Sequence, residues 1–321
     1  MLSILRKIII VLIPVVVAFL VAISKGYEDL GLSAQNMPAP SMENLLTQEE
    51  IDQYKEDGFV LKKKLVVGDE LAKLQRASEE VAGSFFWADL VFGAKYYKKL
   101  AMQAWKFKRH IAQFALGSNL GSIAAQLLQE ETSIRILKDA VFAAVSTSKG
   151  CGFHVDDKGF WPANGGGATF WIALSPMRIS EGGGIRLAKG SHTANWALEC
   201  REVIKNGTCN IEELSPSCYE RLLAVSVTHD MDPGDAIIWD RYLFHRGDPF
   251  LEESNEQKLR YSIRYVPSGV TARGMHHSSV KTGELLKGPH YPQVWPRALE
   301  EEVEGFASFG SSIKARLLPF F

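Results

Sequence analysis

The feature that most constrains the fold is a series of short apolar segments in the second half of the chain. Residues 169–175, 184–188, 236–240 and 259–266 are rich in β-branched and aromatic side chains and are separated by glycine-containing turns. Segments of this length and composition predict β-strands. Residues 83–145 have a mostly helical pattern instead. Helices followed by an antiparallel sheet indicate an α+β domain built around a β-sandwich or barrel.

The part of the chain before residue 83 predicts two helices and two short strands. Thr47 followed three residues later by Glu50 is a capping box, which predicts a helix that ends near Gly58. Residues 59–61 and 65–67 are strand-like, and residues 69–82 have the apolar spacing of a helix.

The N-terminal 24 residues have a different character. After Arg6 and Lys7, residues 8–23 carry no charged side chain and are rich in Ile, Val and Leu. We expect residues 1–24 to be an uncleaved single-pass membrane anchor, with the following domain on the lumenal side. The alternative is a cleaved signal peptide, which would give a secreted or lumenal protein. Residues 25–41, rich in Gly, Pro, Ser and Asn, predict a linker.

Composition and cysteine usage add two constraints. The formal net charge is −1, so no basic surface is expected for a nucleic-acid partner. Cys200, Cys209 and Cys218 lie close together in sequence, beside a glycosylation sequon that begins at Asn206. One disulfide among these three cysteines fits an oxidising compartment, and free buried thiols are the alternative.

Three residues form a candidate metal site. His154 and Asp156 are two positions apart, so on an extended segment both side chains point to the same face. His245 follows the predicted strand 236–240. Two imidazoles and one carboxylate on one side of an ion leave coordination positions open, as a non-haem iron(II) oxygenase requires. These residues are therefore the candidate iron ligands.

The last predicted strand carries a candidate cosubstrate site. Residues 259–266 alternate, and Arg260, Ser262 and Arg264 lie on one face. An arginine binds a carboxylate through two parallel charge-assisted hydrogen bonds. An arginine that points into a barrel would therefore fit the distal carboxylate of 2-oxoglutarate, with the serine adding a hydroxyl. The alternative is an ordinary solvated strand face.

Several short motifs, in this order, resemble those of the phytanoyl-CoA dioxygenase family of iron(II)- and 2-oxoglutarate-dependent oxygenases. They are LTQEEI at 46–51, DGFV at 57–60, FHVDD at 153–157, FWIALS at 170–175, EGGGIRL at 181–187, KGSH at 189–192, PGDA at 233–236, HRG at 245–247 and the arginine strand. The resemblance covers roughly residues 45–267.

The resemblance implies a double-stranded β-helix core, which is a jelly roll of the cupin type, with the N-terminal helices packed around it. It also implies iron(II) bound by His154, Asp156 and His245, and 2-oxoglutarate held by an arginine after the distal histidine. Arg260 is the preferred match, with an insertion around residues 252–257, and Arg264 is the second choice. We expect a dioxygenase domain at residues 42–285 and a C-terminal extension at residues 286–321.

The activity that the resemblance implies is O2-dependent hydroxylation of a small or lipid-like organic substrate, with decarboxylation of 2-oxoglutarate to succinate. Relatives that halogenate lack the metal-binding carboxylate, so the presence of Asp156 favours hydroxylation. Two alternatives stay open. One is a metal-dependent enzyme on the same scaffold that does not use 2-oxoglutarate, and the other is a non-catalytic membrane-anchored binding module. The identity of the substrate and the oligomeric state do not follow from the sequence.

Overall fold

The computed structural model describes residues 46–83, 99–130, 132–145, 150–156, 163–206, 209–251, 257–273, 281–288 and 291–296. The predicted anchor or signal segment, the predicted linker and most of the C-terminal extension lie outside these residues. None of the described helices is long and apolar enough to span a bilayer.

In the described chain, one group of helices precedes β3 and a second group lies between β5 and β6. The helices are α1 (Gln48–Asp57), α2 (Gly68–Gly83), α3 (Arg109–Gly117), α4 (Leu120–Leu128), α5 (Ala194–Glu199), α6 (Arg201–Asn206), α7 (Ile211–Leu214) and α8 (Pro216–Ala224), with a 3-10 turn at Ala104–Lys106. The strands are β1 (Phe59–Lys62), β2 (Lys99–Met102), β3 (Ile134–Ala144), β4 (Ala168–Ala173), β5 (Ile185–Ala188), β6 (Ser226–Thr228), β7 (Ala236–Asp240), β8 (His245–Gly247), β9 (Lys258–Pro267) and β10 (Gln293–Trp295).

The strands form two antiparallel sheets. The major sheet has the order β1-β7-β4-β9-β3-β10, with β2 also paired to β3, and the minor sheet has the order β6-β5-β8. The crossovers between strands distant in sequence agree with the predicted α+β class, and the four strands predicted in the second half of the chain are confirmed as β4, β5, β7 and β9. An antiparallel sheet with its two faces covered is typical of a sandwich or barrel.

Helix α1 confirms the predicted capping box. The Thr47 hydroxyl accepts from the Glu50 backbone N–H, and the Glu50 carboxylate accepts from the Thr47 N–H, so two otherwise unpaired donors are satisfied. The helix ends at Gly58, whose φ of 80° is left-handed. A Cβ atom at Gly58 would lie 2.4 Å from His192 Nδ1, so the turn into β1 requires glycine.

Two hydrophobic clusters cover opposite faces of the major sheet. On the outer face, side chains of α2, α3 and α4 pack on Phe170, Ile238 and Tyr265. On the inner face, Trp171 and Trp239 pack against side chains of the minor sheet. The candidate site residues project into this second space, between the sheets. The helices α2, α3 and α4 therefore form the outer layer of the fold, and the two sheets enclose the candidate site.

The sequence prediction of a mostly helical region at 83–145 is wrong for two described segments. Residues Lys99–Met102 and Ile134–Ala144 are strands, and β3 is the longest strand in the described chain. Both faces of β3 are covered, so apolar side chains occur on both faces and the two-residue alternation is lost. A continuous apolar run cannot be told from a buried helix by periodicity alone. The short strand predicted at 65–67 is also wrong, since these residues form a bend in the loop between β1 and α2.

Two disulfides stabilise the helical region between β5 and β6, and one of them ties it to the segment before His154. Cys200 pairs with Cys218, which confirms one bridge among the three clustered cysteines. Cys151 pairs with Cys209, a bridge that the sequence spacing did not predict. This second bridge fixes the segment that carries His154 to the loop before α7, and the Gly152 N–H also donates to the Cys209 carbonyl at 3.2 Å.

Candidate metal and cosubstrate site

The three predicted metal ligands come together between the two sheets. His154 and His245 form a two-residue antiparallel bridge, in which each backbone N–H donates to the carbonyl of the other residue at 2.9 and 3.0 Å. Asp156 follows the bridge, and its backbone N–H donates to the Arg241 carbonyl. One ligand atom from each of the three side chains lies within 4.8 Å of the other two. Segments far apart in sequence therefore hold one compact donor set.

Both imidazole rings are oriented by their own backbone. His154 Nδ1 lies 2.7 Å from the Gly152 carbonyl, and His245 Nδ1 lies 3.0 Å from the Leu243 carbonyl. A ring nitrogen facing a carbonyl must carry the proton, so each Nε2 keeps its lone pair for a metal. Burial lowers the pKa of His154 and, with the neighbouring His154 ring, lowers the pKa of His245 to about 3. Both rings are therefore neutral at physiological pH, as metal ligation requires.

The carboxylate of Asp156 is held by three side chains. Its Oδ2 accepts from the Thr169 hydroxyl at 2.7 Å and from the Trp239 indole N–H at 3.2 Å. Its Oδ1 accepts from Arg264 Nη2 at 2.9 Å and faces His245 Nε2 at 4.0 Å. Because both Oδ2 lone pairs are occupied, the carboxylate can bind a metal through Oδ1 alone. Single-oxygen ligation leaves more of the coordination sphere open.

Electrostatics keep this carboxyl ionised. Burial raises the pKa of Asp156, but the charge of Arg264 and its hydrogen bond lower it by more, and the pKa falls well below the usual range. Two neutral imidazoles and one ionised carboxylate are a donor set that fits iron(II). The residues present thus match the metal that the sequence predicts.

Cross-strand register arranges the inner face of the major sheet in rows. The row nearest the carboxylate consists of Lys138, Arg264, Thr169 and Trp239 on β3, β9, β4 and β7. The next row contains Ala140, Ser262 and Trp171, and the row after it contains Phe142 and Arg260. Arg260, Ser262 and Arg264 therefore share the inner face, as their alternation predicts.

The Arg260 side chain is enclosed by aromatic rings. Its guanidinium lies 5.5 Å from the Phe142 ring centroid and 5.4 Å from the Trp171 centroid, and Nη1 donates to the Gly183 carbonyl at 3.1 Å. The side chain is buried. Stacking on two rings fixes the plane of the guanidinium, so less conformational freedom is lost when it binds a carboxylate.

One cavity of about 130 Å³ joins these features. It is lined by the three candidate ligands, by the three residues of the arginine strand and by aromatic and backbone groups of both sheets: Phe142, His154, Asp156, Trp171, Gly184, Ile185, Trp239, His245, Gly247, Arg260, Ser262 and Arg264. All six site residues named from the sequence therefore line the same cavity. The loop at 252–256, where an insertion was expected, lies outside the described residues.

Three participants were missed by the sequence reasoning. Thr169 and Trp239 bind the Asp156 carboxylate, and Lys138 lies beside Arg264. The parity of the predicted strands 169–175 and 236–240 could have placed Thr169 and Trp239 on the inner face. Lys138 could not be placed, because its strand was predicted to be helical.

Comparison with known proteins gives a family and a fold. A family model described as phytanoyl-CoA dioxygenase matches residues 42–251. Among curated proteins, none matches the chain.

The chain is also similar to solved structures. One is the non-haem alpha-ketoglutarate-dependent carbocyclase SnoK from nogalamycin biosynthesis, at 19% identity and a TM-score of 0.62, covering 82% of this chain and 98% of that one. Another is EctD from S. alaskensis with 2-oxoglutarate and 5-hydroxyectoine, at 14% identity and a TM-score of 0.57, covering 81% and 96%. At these identities the likeness establishes the fold.

Proposed function

The chain belongs to the phytanoyl-CoA dioxygenase family, and from this premise we propose that it hydroxylates a small or lipid-like organic substrate at an iron(II) centre held by His154, Asp156 and His245. The match confirms the predicted enzyme class, an oxidoreductase that uses iron(II) and 2-oxoglutarate. The ligand residues, the arginine that holds the cosubstrate and the hydroxylation outcome are parts of the proposal.

The main observation behind the proposal is that each of the three candidate ligands is held in place by hydrogen bonds to its neighbours. Each imidazole donates through Nδ1 to a backbone carbonyl, and the Asp156 carboxylate accepts from three neighbouring side chains. A surface cluster of ionisable residues has no such outer partners, whereas metal ligands are usually oriented in this way. The carboxylate ligand also supports hydroxylation over halogenation, because it occupies the position that a halide would need.

Arg260 is the residue that we propose for the distal carboxylate of 2-oxoglutarate. Arg264 lies on Asp156 Oδ1, the oxygen that faces the metal position, so it is adjacent to the end of the cosubstrate that binds iron. Arg260 lies four residues before Arg264 on β9, about 13 Å away at roughly 3.3 Å per residue. A dicarboxylate that reaches from the metal towards Arg260 passes Ser262 and Trp171, which lie in the row between.

The chain's own residues hold geometry and exclude water, while bound iron(II) and 2-oxoglutarate supply the oxidative chemistry with O2. Trp239 packs on His245 with ring centroids 4.6 Å apart, and its indole N–H holds the Asp156 carboxylate. Trp171 and Phe142 flank the cosubstrate position and remove water from around the arginine. Desolvation strengthens the ion pair between Arg260 and a carboxylate.

The solved neighbours support this proposal and a finer description of the fold. SnoK is an alpha-ketoglutarate-dependent carbocyclase, and the structure of the similar epimerase SnoN is in complex with Fe3+, alpha ketoglutarate and nogalamycin RO. Two facing antiparallel sheets that enclose the ligand triad support a double-stranded β-helix core in this chain.

The first experiment tests the metal and cosubstrate together. The full chain, kept anaerobic with iron(II), is titrated with 2-oxoglutarate while the visible charge-transfer band of the iron chelate is recorded. We expect the band in the wild type and in the control His110→Ala, which removes an exposed histidine. We expect no band in His245→Ala.

The negative outcomes are distinct. If iron(II) binds and no band forms, the chain is a metal-dependent enzyme that does not use 2-oxoglutarate. If iron(II) does not bind, the enzyme proposal fails and a non-catalytic binding module replaces it. A band that persists in His245→Ala overturns the ligand assignment.

We also propose that the catalytic domain is lumenal, either tethered by residues 1–24 or released after their cleavage. Two disulfides support an oxidising compartment, because thiols stay reduced in the cytosol. The measurement is protease protection in sealed microsomes, combined with glycosidase treatment at the Asn206 sequon. A protease-sensitive, unglycosylated domain with reduced cysteines would contradict a lumenal position.

A further inference from the structure

Lys138 lies on the inner face of the major sheet, beside the proposed metal centre. On β3 it is the cross-strand neighbour of Arg264, whose guanidinium contacts Asp156. Lys138 is half-buried, and its ammonium makes no hydrogen bond or ion pair within the part of the chain that the structure describes. Burial, together with the charge of Arg264, lowers the pKa of Lys138 to about 7 against the opposing effect of Asp156. A cation in this position lacks a counter-ion of its own.

The Arg264 guanidinium also has unused donors. One N–H group, on Nη2, donates to Asp156, while the buried Nε has no hydrogen-bond partner among the described residues. A buried N–H without an acceptor is unfavourable, so an incoming anion would be stabilised by it. Arg264 lines the cavity that contains the ligand triad. Arg264 is therefore part of both the cavity wall and the support of Asp156.

The proposed metal and cosubstrate supply no net negative charge for Lys138 and Arg264. In a complex with iron(II) and 2-oxoglutarate, the two positive charges of the metal are balanced by the two carboxylates of the cosubstrate. Arg264 and Lys138 then carry two positive charges against the single negative charge of Asp156. Asp156, the acidic side chain that acts on both, is already required by the metal. Excess positive charge in a desolvated cavity favours the binding of an anion.

We propose that Lys138 and Arg264 form a subsite for an anionic group of the substrate, a carboxylate or a phosphate ester, next to the metal. This inference rests on the proposed function, since it describes the substrate of that site. The ammonium of Lys138 supplies up to three donors and Arg264 supplies a fixed fork, a combination that suits the oxygens of either anion. The oxidised carbon then lies a few bonds from the anionic group.

The test uses three probes that share a six-carbon chain: hexanoate, hexyl phosphate and the neutral hexanamide. The full chain is loaded with manganese(II), which does not react with O2 in this role, and with 2-oxoglutarate. Affinity and the paramagnetic relaxation of probe protons are measured by NMR. We expect at least one anionic probe to bind about tenfold or more tightly than hexanamide, with the protons next to its anionic group relaxed most. The two anionic arms distinguish a carboxylate from a phosphate ester.

The matched variants are Lys138→Met and Lys55→Met. They remove the same charge next to Arg264, which lines the cavity, and on the exposed surface of α1. In Lys138→Met the anion affinity should fall about tenfold, while 2-oxoglutarate affinity changes less than about twofold. Lys55→Met should match the wild type. Equal binding of hexanamide and both anions, or wild-type anion binding in Lys138→Met, overturns the subsite. A selective loss of 2-oxoglutarate affinity in Lys138→Met also overturns it, because the pair then serves the cosubstrate.

Failure of the proposed function gives a different result. The iron(II) and 2-oxoglutarate band is recorded on the same preparation, and the hexanoate and hexyl phosphate titrations are repeated without metal. If no band forms while Lys138-dependent anion binding persists, the oxygenase proposal fails and the anion subsite stands. If the band forms and neither anion is preferred, the oxygenase stands and the subsite fails.

Discussion

The two ends of the inner face of β9 carry the same type of side chain in different surroundings. At one end, Arg260 lies over two aromatic rings and donates to the Gly183 carbonyl. At the other end, Arg264 is paired with the Asp156 carboxylate and lies beside a second cation, Lys138. One arginine is oriented by two aromatic rings and a backbone carbonyl, and the other is held by the proposed metal ligand.

Residue type and alternation along a strand therefore predict which face of the sheet a side chain lies on, but they do not predict which group it binds. The sequence places both arginines on one face and therefore leaves two candidates for the cosubstrate clamp. Their neighbours separate them, because the partners of each guanidinium determine which anion it can still accept. The predictions below change one end at a time.

The largest effect is expected at the Arg260 end. Arg260→Met should weaken 2-oxoglutarate binding about 100-fold, because a desolvated charge pair that loses one partner costs on the order of 2–5 kcal/mol. Calorimetric titration of the manganese(II)-loaded protein measures this, and metal affinity should change little. Arg264→Met is the matched variant and should lower 2-oxoglutarate affinity by less than about tenfold. If Arg264→Met lowered 2-oxoglutarate affinity more than Arg260→Met, Arg264 would be the residue that binds the distal carboxylate.

A smaller effect is expected from the row that holds the metal carboxylate. Thr169→Val removes the 2.7 Å hydrogen bond to Asp156 Oδ2 and keeps the shape of the side chain. Loss of one outer partner should weaken metal binding about tenfold. Competition with a chelating dye measures the affinity, and Thr228→Val on β6 serves as the control. Unchanged metal affinity in Thr169→Val would show that the metal does not use this carboxylate.

The smallest effect is expected between the two ends. Ser262→Ala removes one hydroxyl from the row that the cosubstrate would cross, and the loss of one hydrogen bond of about 1 kcal/mol corresponds to roughly fivefold in 2-oxoglutarate affinity. The same calorimetric titration measures it, with Ser180→Ala on the surface as the control. If Ser262→Ala lowered 2-oxoglutarate affinity as much as Arg260→Met, the distal carboxylate would be assigned to Ser262 and not to Arg260.

Much of the site could be predicted because its residues obey strand periodicity. The two-residue spacing of His154 and Asp156 and the alternation in β9 named five residues, and the position after the strand 236–240 named His245. All six line one cavity. The capping box of α1 could also be predicted from the sequence, because it depends on four consecutive residues.

What the sequence did not reveal depends on contacts between distant segments. β3 is covered on both faces, so its pattern resembled a helix and Lys138 was missed. The pairing of Cys151 with Cys209 joins segments 58 residues apart. The contact between Arg264 and Asp156 spans 108 residues and is set by sheet register, which no local pattern encodes.

The most direct test of this division of roles is a crystal structure of the protein with manganese(II) and 2-oxoglutarate. The account predicts the metal on His154, Asp156 and His245, the distal carboxylate on Arg260 and Ser262, and Arg264 still on Asp156. A distal carboxylate bound by Arg264 or Lys138 would contradict it.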